Sequence, residues 1–149
     1  MQHTFRKPTF PERALAKFGL WDDRKMFWSF YEPRNFGDWI GPYLFYKSTG
    51  KRHFFQLPKK GTETTLTAGS IIRQIKVPDS AIVWGSGIMS REDEFERPKE
   101  ILAVRGPLTQ QRCEELSYHC PKVYGDPGIL LPRVFQPPSP DTKKRLGVI

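Results

Sequence analysis

The chain has 149 residues, with 24 Lys+Arg against 16 Asp+Glu, a net charge of +8, 38% hydrophobic and 13% aromatic residues; this suits one packed domain and excludes global disorder and collagen-like or low-complexity structure. No apolar run reaches the roughly 18 to 20 residues that span a bilayer, and residues 1–10 are basic and polar without a leader's apolar centre, so the cytoplasm is the expected compartment. Cys113 and Cys120 are too few for a disulfide framework and match no zinc spacing with His3, His53 or His119, so both are expected as reduced structural thiols and no metal is expected.

Residues 1–24 read as an N-terminal arm with one short helix at 11–18, opened by Pro11 and stopped by Gly19. The aromatic run 25–31 predicts a strand, 32–37 a turn, and Asp38 an N-cap for a helix from Trp39 to about Ser48 that tolerates Pro42 near its first turn and ends at Gly50. Short strands are expected at 53–57, 65–68 and 81–84, with a loop at 59–62. The charged stretch 90–99 reads as an exposed loop. Ile101-Leu102-Ala103-Val104, apolar without alternation, predicts a strand covered on both faces of a parallel sheet, and Pro107 opens a helix through Leu116. The same order repeats in a short strand at 122–124, the Gly125-Asp126-Pro127 turn and a helical piece at 128–131.

Alternating strands and helices predict an α/β fold: a Rossmann-like parallel sheet flanked by helices over residues 25–132. Prolines 132, 137, 138 and 140 mark 133–144 as a linker, and the apolar residues 145–149 read as the start of a second domain.

The glycine-bearing turns after the predicted strands share one edge of such a sheet, where ligands bind. Ser70, Gly85, Ser86, Gly87, Gly106 and Gly125 are therefore candidate binding positions, since glycine lets an anion approach backbone N–H groups and a helix start adds partial positive charge. Arg105, between a strand and a helix start, can pair with a carboxylate or phosphate in a fork, with an internal salt bridge as the alternative. Asn35, Gly37 and Asp38 form another candidate edge; Asp38 and Asp126 read equally as helix caps or as working carboxylates. His53 and His119 read as structural or exposed.

Taken in order, Asn35-Phe36-Gly37-Asp38 with Gly41-Pro42, Gly69-Ser70-Ile71, Trp84-Gly85-Ser86-Gly87, Val104-Arg105-Gly106-Pro107-Leu108-Thr109 and Tyr124-Gly125-Asp126-Pro127 resemble the polysaccharide pyruvyl transferase family over residues 27–132. The resemblance implies a transferase that moves the pyruvyl group of phosphoenolpyruvate onto two sugar hydroxyls as a cyclic ketal, on cell-surface or exported polysaccharide. It implies phosphoenolpyruvate as donor substrate with no separate cofactor, and a glycan or lipid-linked sugar as acceptor. It further implies work in the cytoplasm or at the inner face of the membrane, and one half of a glycosyltransferase-B-like two-domain architecture. Asp38, Arg105 and Asp126 are then the expected catalytic residues. The surplus positive charge is explained by a small anionic substrate, with two alternatives kept: half of a nucleotide-sugar glycosyltransferase, and a non-catalytic basic binding module. Nucleic acid is not the expected partner, because Lys and Arg are spread along the chain and no recognised nucleic-acid-binding spacing occurs.

Overall fold

Short apolar and β-branched segments between turn residues form five parallel strands in the computed structural model, which describes residues 10–11, 24–27, 36–51 and 53–137. These are β1 (Arg24–Phe27), β2 (His53–Phe55), β3 (Thr64–Leu66), β4 (Ala81–Trp84) and β5 (Glu100–Ala103), in the spatial order β2-β1-β3-β4-β5. With helices α1 (Phe36–Thr49), α2 (Pro107–Glu115) and α3 (Leu131–Val134) around the sheet, the architecture is α/β and Rossmann-like. The chain runs from β1 outward to β2, then resumes on the other side of β1 at β3, so the order reverses between β1 and β3. At such a switch point neighbouring connections diverge and open a crevice at the carboxyl ends of the strands.

The register places Phe27, Leu66, Val83 and Ile101 side by side across β1, β3, β4 and β5. With Ile72, Ile75, Cys113 and Cys120 they form the larger core cluster. A smaller cluster joins Ile40 and Leu44 of α1 to Ala68, Leu130 and Leu131. Both cysteines are free and buried, as expected of structural thiols, and burial pushes the Cys113 thiol up to about 12.

Several elements differ from the sequence expectations. The helix over 39–48 is described from Phe36, so Asp38 lies within its first turn instead of capping it, where a carboxylate still suits the helix dipole. Pro42 therefore stands in the helix interior, and its missing N–H leaves the Asp38 carbonyl without its usual partner four residues on. The 101–104 run is not covered on both faces: β5 ends the β1–β5 ladder, Leu102 is 47% exposed, and with Ile82 and Trp84 it lines an open groove beneath the end of α1. Instead of a strand at 122–124 there is a single bridge between Val104 and Tyr124. Arg133 and Val134, assigned to the linker, are helical in α3.

The 90–99 stretch is not a uniformly solvated loop. Phe95 is 6% exposed and belongs to the larger core, and Tyr118 Oη donates to its carbonyl at 2.9 Å. Arg112 Nε donates to the Asp93 carbonyl at 2.9 Å, and the Asp93 carboxylate accepts from the backbone N–H of Met89 at 2.7 Å. Charge dominates the composition of the segment, but a buried aromatic side chain and backbone bonds from Glu96 N–H to the Ile75 carbonyl and from Asp79 N–H to the Arg97 carbonyl, both 2.9 Å, fix its position. Beyond Pro11, the expected arm helix at 11–18 lies outside the described residues, as do 28–31 of the first expected strand and the expected segments from 138 on.

Candidate functional site

At the switch point, Phe27 at the end of β1, the first turn of α1 and the turn following β3 enclose a cleft of about 490 Å³. The sequence-predicted residues Gly37, Asp38, Ser70, Arg105 and Asp126 all line it. They come from four separate stretches of chain, brought to one edge because all five strands point the same way.

Arg105 follows β5 and reaches across the end of β4. Its backbone N–H donates to the Ser86 carbonyl at 3.1 Å, Nη1 donates to Ser70 Oγ at 2.7 Å, and Nη2 donates to the Ile88 carbonyl at 2.6 Å. The side chain lies flat over Gly87, where an added Cβ would come within 2.8 Å of Nε. The internal salt bridge weighed for this residue does not form: among the described residues its guanidinium meets neutral oxygens and no carboxylate. A guanidinium has five N–H donors, so one fixed by two neutral acceptors keeps its charge and further donors for an anion.

Asp38 stands beside the turn after β3. Gly69 there has φ +104°, and a Cβ on it would lie 2.5 Å from Asp38 Oδ1, so the carboxylate packs onto bare backbone. Burial raises the Asp38 carboxyl above its ordinary value, and among the described residues its side chain accepts no hydrogen bond. Asp126, in contrast, is a cap: its Oδ1 accepts from the Gly128 N–H at 2.8 Å at the start of the 3-10 turn Pro127–Leu130. It lines the cleft as well.

The other glycine turns hold the edge together instead of facing the cleft. Gly85 N–H donates to the Ala103 carbonyl at 2.8 Å, Gly87 N–H to the Gly69 carbonyl at 3.1 Å, and Gly125 N–H to the Val104 carbonyl at 3.0 Å. Ser86 is fully buried, and its hydroxyl donates to the Gly69 carbonyl at 3.1 Å. Gly106 caps α2 through its carbonyl, which accepts from Thr109 N–H at 3.1 Å and Gln110 N–H at 3.2 Å. Gly85, Ser86, Gly87 and Gly125 thus brace the turns that carry Arg105 and Ser70, and Gly106 holds the start of α2. Asn35 lies outside the described residues.

Arg73 and Gln74, in the 3-10 turn Ile72–Gln74, also line the cleft and were not singled out from the sequence. They follow the Gly69-Ser70 turn by a few residues and are flanked by isoleucines that fix them, but nothing in the local sequence distinguishes a cleft arginine here from a solvated one. Among the described residues, Arg73 and Arg105 line the cleft with Asp38 and Asp126, placing cations suited to an anion beside carboxyl groups able to exchange protons. Of the histidines, His53 is buried in β2 and His119 is exposed, neither at the cleft.

Fold and cleft define a Rossmann-like α/β protein with a charged crevice at its topological switch point. No protein-family model, curated protein or solved structure matches the chain. Among the described residues, no helix is long and apolar enough to cross a membrane.

Proposed function

We propose that this chain is the N-terminal, Rossmann-like half of a pyruvyltransferase that moves the pyruvyl group of phosphoenolpyruvate onto two hydroxyls of a glycan or lipid-linked sugar, working from the cytoplasm or the inner face of the membrane. The ordered motifs over residues 27–132 support the reading, and one observation carries it. Arg105, held by Ser70 and the Ile88 carbonyl, brings an unpaired guanidinium to a cleft that also contains the raised carboxyl of Asp38.

Phosphoenolpyruvate carries a carboxylate and a phosphate, and Arg105 serves as the fork for one of them. Ketal formation needs a proton at the methylene carbon, attack of a sugar hydroxyl on the central carbon, cleavage of that carbon's bond to the phosphate oxygen, and ring closure by the second hydroxyl. Of the two hydroxyl protons, one ends on the new methyl group and the other on the departing phosphate. Asp38, held toward its protonated form by burial, is suited to deliver the proton to carbon; Asp126, with one oxygen engaged by Gly128, is placed to receive one from a hydroxyl.

The test is ligand-induced stabilisation of the chain. Phosphoenolpyruvate should raise the melting temperature and a nucleotide sugar should not, and Arg105→Ala should remove the rise with its circular dichroism unchanged. A rise with the nucleotide sugar alone would replace this reading with the glycosyltransferase one. Strongly salt-dependent binding of a single-stranded oligonucleotide, with no effect of phosphoenolpyruvate, would replace it with the basic binding module.

A further inference from the structure

Arg105 on its own is a poor match for a donor with two separated anionic groups. Its Nη1 and Nη2 each already spend an N–H on Ser70 and Ile88, and its flat face rests on Gly87, leaving one edge of the guanidinium for one oxyanion. The cleft also contains the Asp126 carboxylate, whose charge opposes any anion that enters, and Asp38, which offers no positive charge. A ligand with two anionic ends needs a second cation to offset them.

Among the described residues that line the cleft, the other cation is Arg73. It sits in the Ile72–Gln74 turn between Ile72 and Ile75, both fully buried in the larger core, so its backbone is fixed. The side chain itself is exposed, with no ion pair or side-chain hydrogen bond to another described residue. The same turn is tied to the edge that carries Arg105, because Ile72 N–H donates to the Gly87 carbonyl at 3.5 Å. The two arginines differ in kind: Arg105 is clamped in place, and Arg73 is a long side chain on a rigid base, free to close on a ligand.

We infer that Arg73 is the second anion-binding residue of the cleft, so that Arg73 and Arg105 together select a small ligand carrying two anionic groups over one carrying a single group. The inference rests on the reading of the cleft as a phosphoenolpyruvate site and adds a residue and a basis for selectivity to it. It does not require Arg73 to take part in proton transfer.

The experiment is calorimetric titration of the chain with phosphoenolpyruvate, pyruvate and inorganic phosphate, for the unaltered protein and for Arg73→Ala and Arg73→Lys. The unaltered chain should bind phosphoenolpyruvate at least about tenfold more tightly than either single-anion ligand, a preference equivalent to one well-placed ionic contact. Arg73→Ala should abolish that preference while leaving whichever single-anion ligand Arg105 holds unaffected, and Arg73→Lys should recover part of it. An unchanged preference in Arg73→Ala, or an equal loss for all three ligands, overturns the assignment of Arg73 and leaves the site reading intact. If none of the three ligands binds the unaltered chain, the site reading fails and the inference goes with it.

Discussion

Ser70 Oγ accepts a hydrogen bond from Arg105 Nη1 at 2.7 Å, joining the turn after β3 to the turn after β5. The two strands are not neighbours in the sheet, since β4 lies between them, and the connection passes over the end of β4 at Gly87. A single side chain therefore sets both the spacing of two turns and the position of the positive charge between them. Ser70→Ala should leave Arg105 charged but less well oriented. On the proposed reading, and given the usual contribution of about 1.5–3 kcal/mol for a hydrogen bond to a charged group, affinity for phosphoenolpyruvate should fall by roughly tenfold or more. Titration calorimetry measures this, and an unchanged affinity would mean that the Ile88 carbonyl holds Arg105 alone.

Gly69 is the second constraint at this edge. Its φ of +104° disfavours any side chain, and a Cβ would press on Asp38 Oδ1. Gly69→Ala should cost about 1–3 kcal/mol in denaturant unfolding from the backbone conformation alone, with the collision added. Because that second part depends on Asp38, the same substitution should cost less in an Asp38→Ala background. Strictly additive costs would show that the carboxylate swings clear.

His53 gives the fold a pH dependence of its own. It is 2% exposed in β2, stacked edge-on against Phe45 with ring centroids 6.2 Å apart, and burial lowers its pKa from 6.5 to about 4. The unfolded chain therefore binds a proton that the folded chain refuses between those two values. The His53 contribution is complete above about pH 6.5 and is lost as pH falls toward 4, by up to about 3 kcal/mol. Urea midpoints measured from pH 7.5 to 4.5 should fall more steeply for the native chain than for His53→Leu. Parallel curves would place the acid sensitivity elsewhere.

Phe95 anchors a segment whose other side chains are mostly charged. Its burial in the larger core, with the Tyr118 and Arg112 bonds on either side, makes the stretch from Ser90 to Lys99 part of the folded unit. Phe95→Ala should destabilise the chain by about 3–5 kcal/mol, the range for an emptied aromatic site in a core. A loss below about 1 kcal/mol would mark the segment as a surface loop after all.

The parallel α/β class was legible in the residues themselves, because strand and helix patterns alternate and because Pro107 opens a helix directly after the glycine-bearing turn that ends the preceding strand. Arg105, Ser70 and Asp126 were legible as residues at one sheet edge for the same reason, since in a parallel sheet every strand delivers its following turn to the same side, whereas Asp38 reads as part of a separate candidate edge and only the fold brings it to theirs. Their division of labour was not legible. A glycine N–H that faces a ligand and one bonded to the next turn have the same sequence, so the bracing roles of Gly85, Gly87 and Gly125 emerged only from the contacts between turns. Arg73 is not legible as a cleft residue, because nothing local separates a cleft arginine from a solvated one; the difference lies in which turn stands opposite. Phe95 and Leu102 show the same limit in the core, the one buried from a charged run and the other exposed from an apolar one. Local pattern determines what each segment can become, whereas burial depends on strand order and on which elements meet across the sheet, and those are properties of the assembled chain.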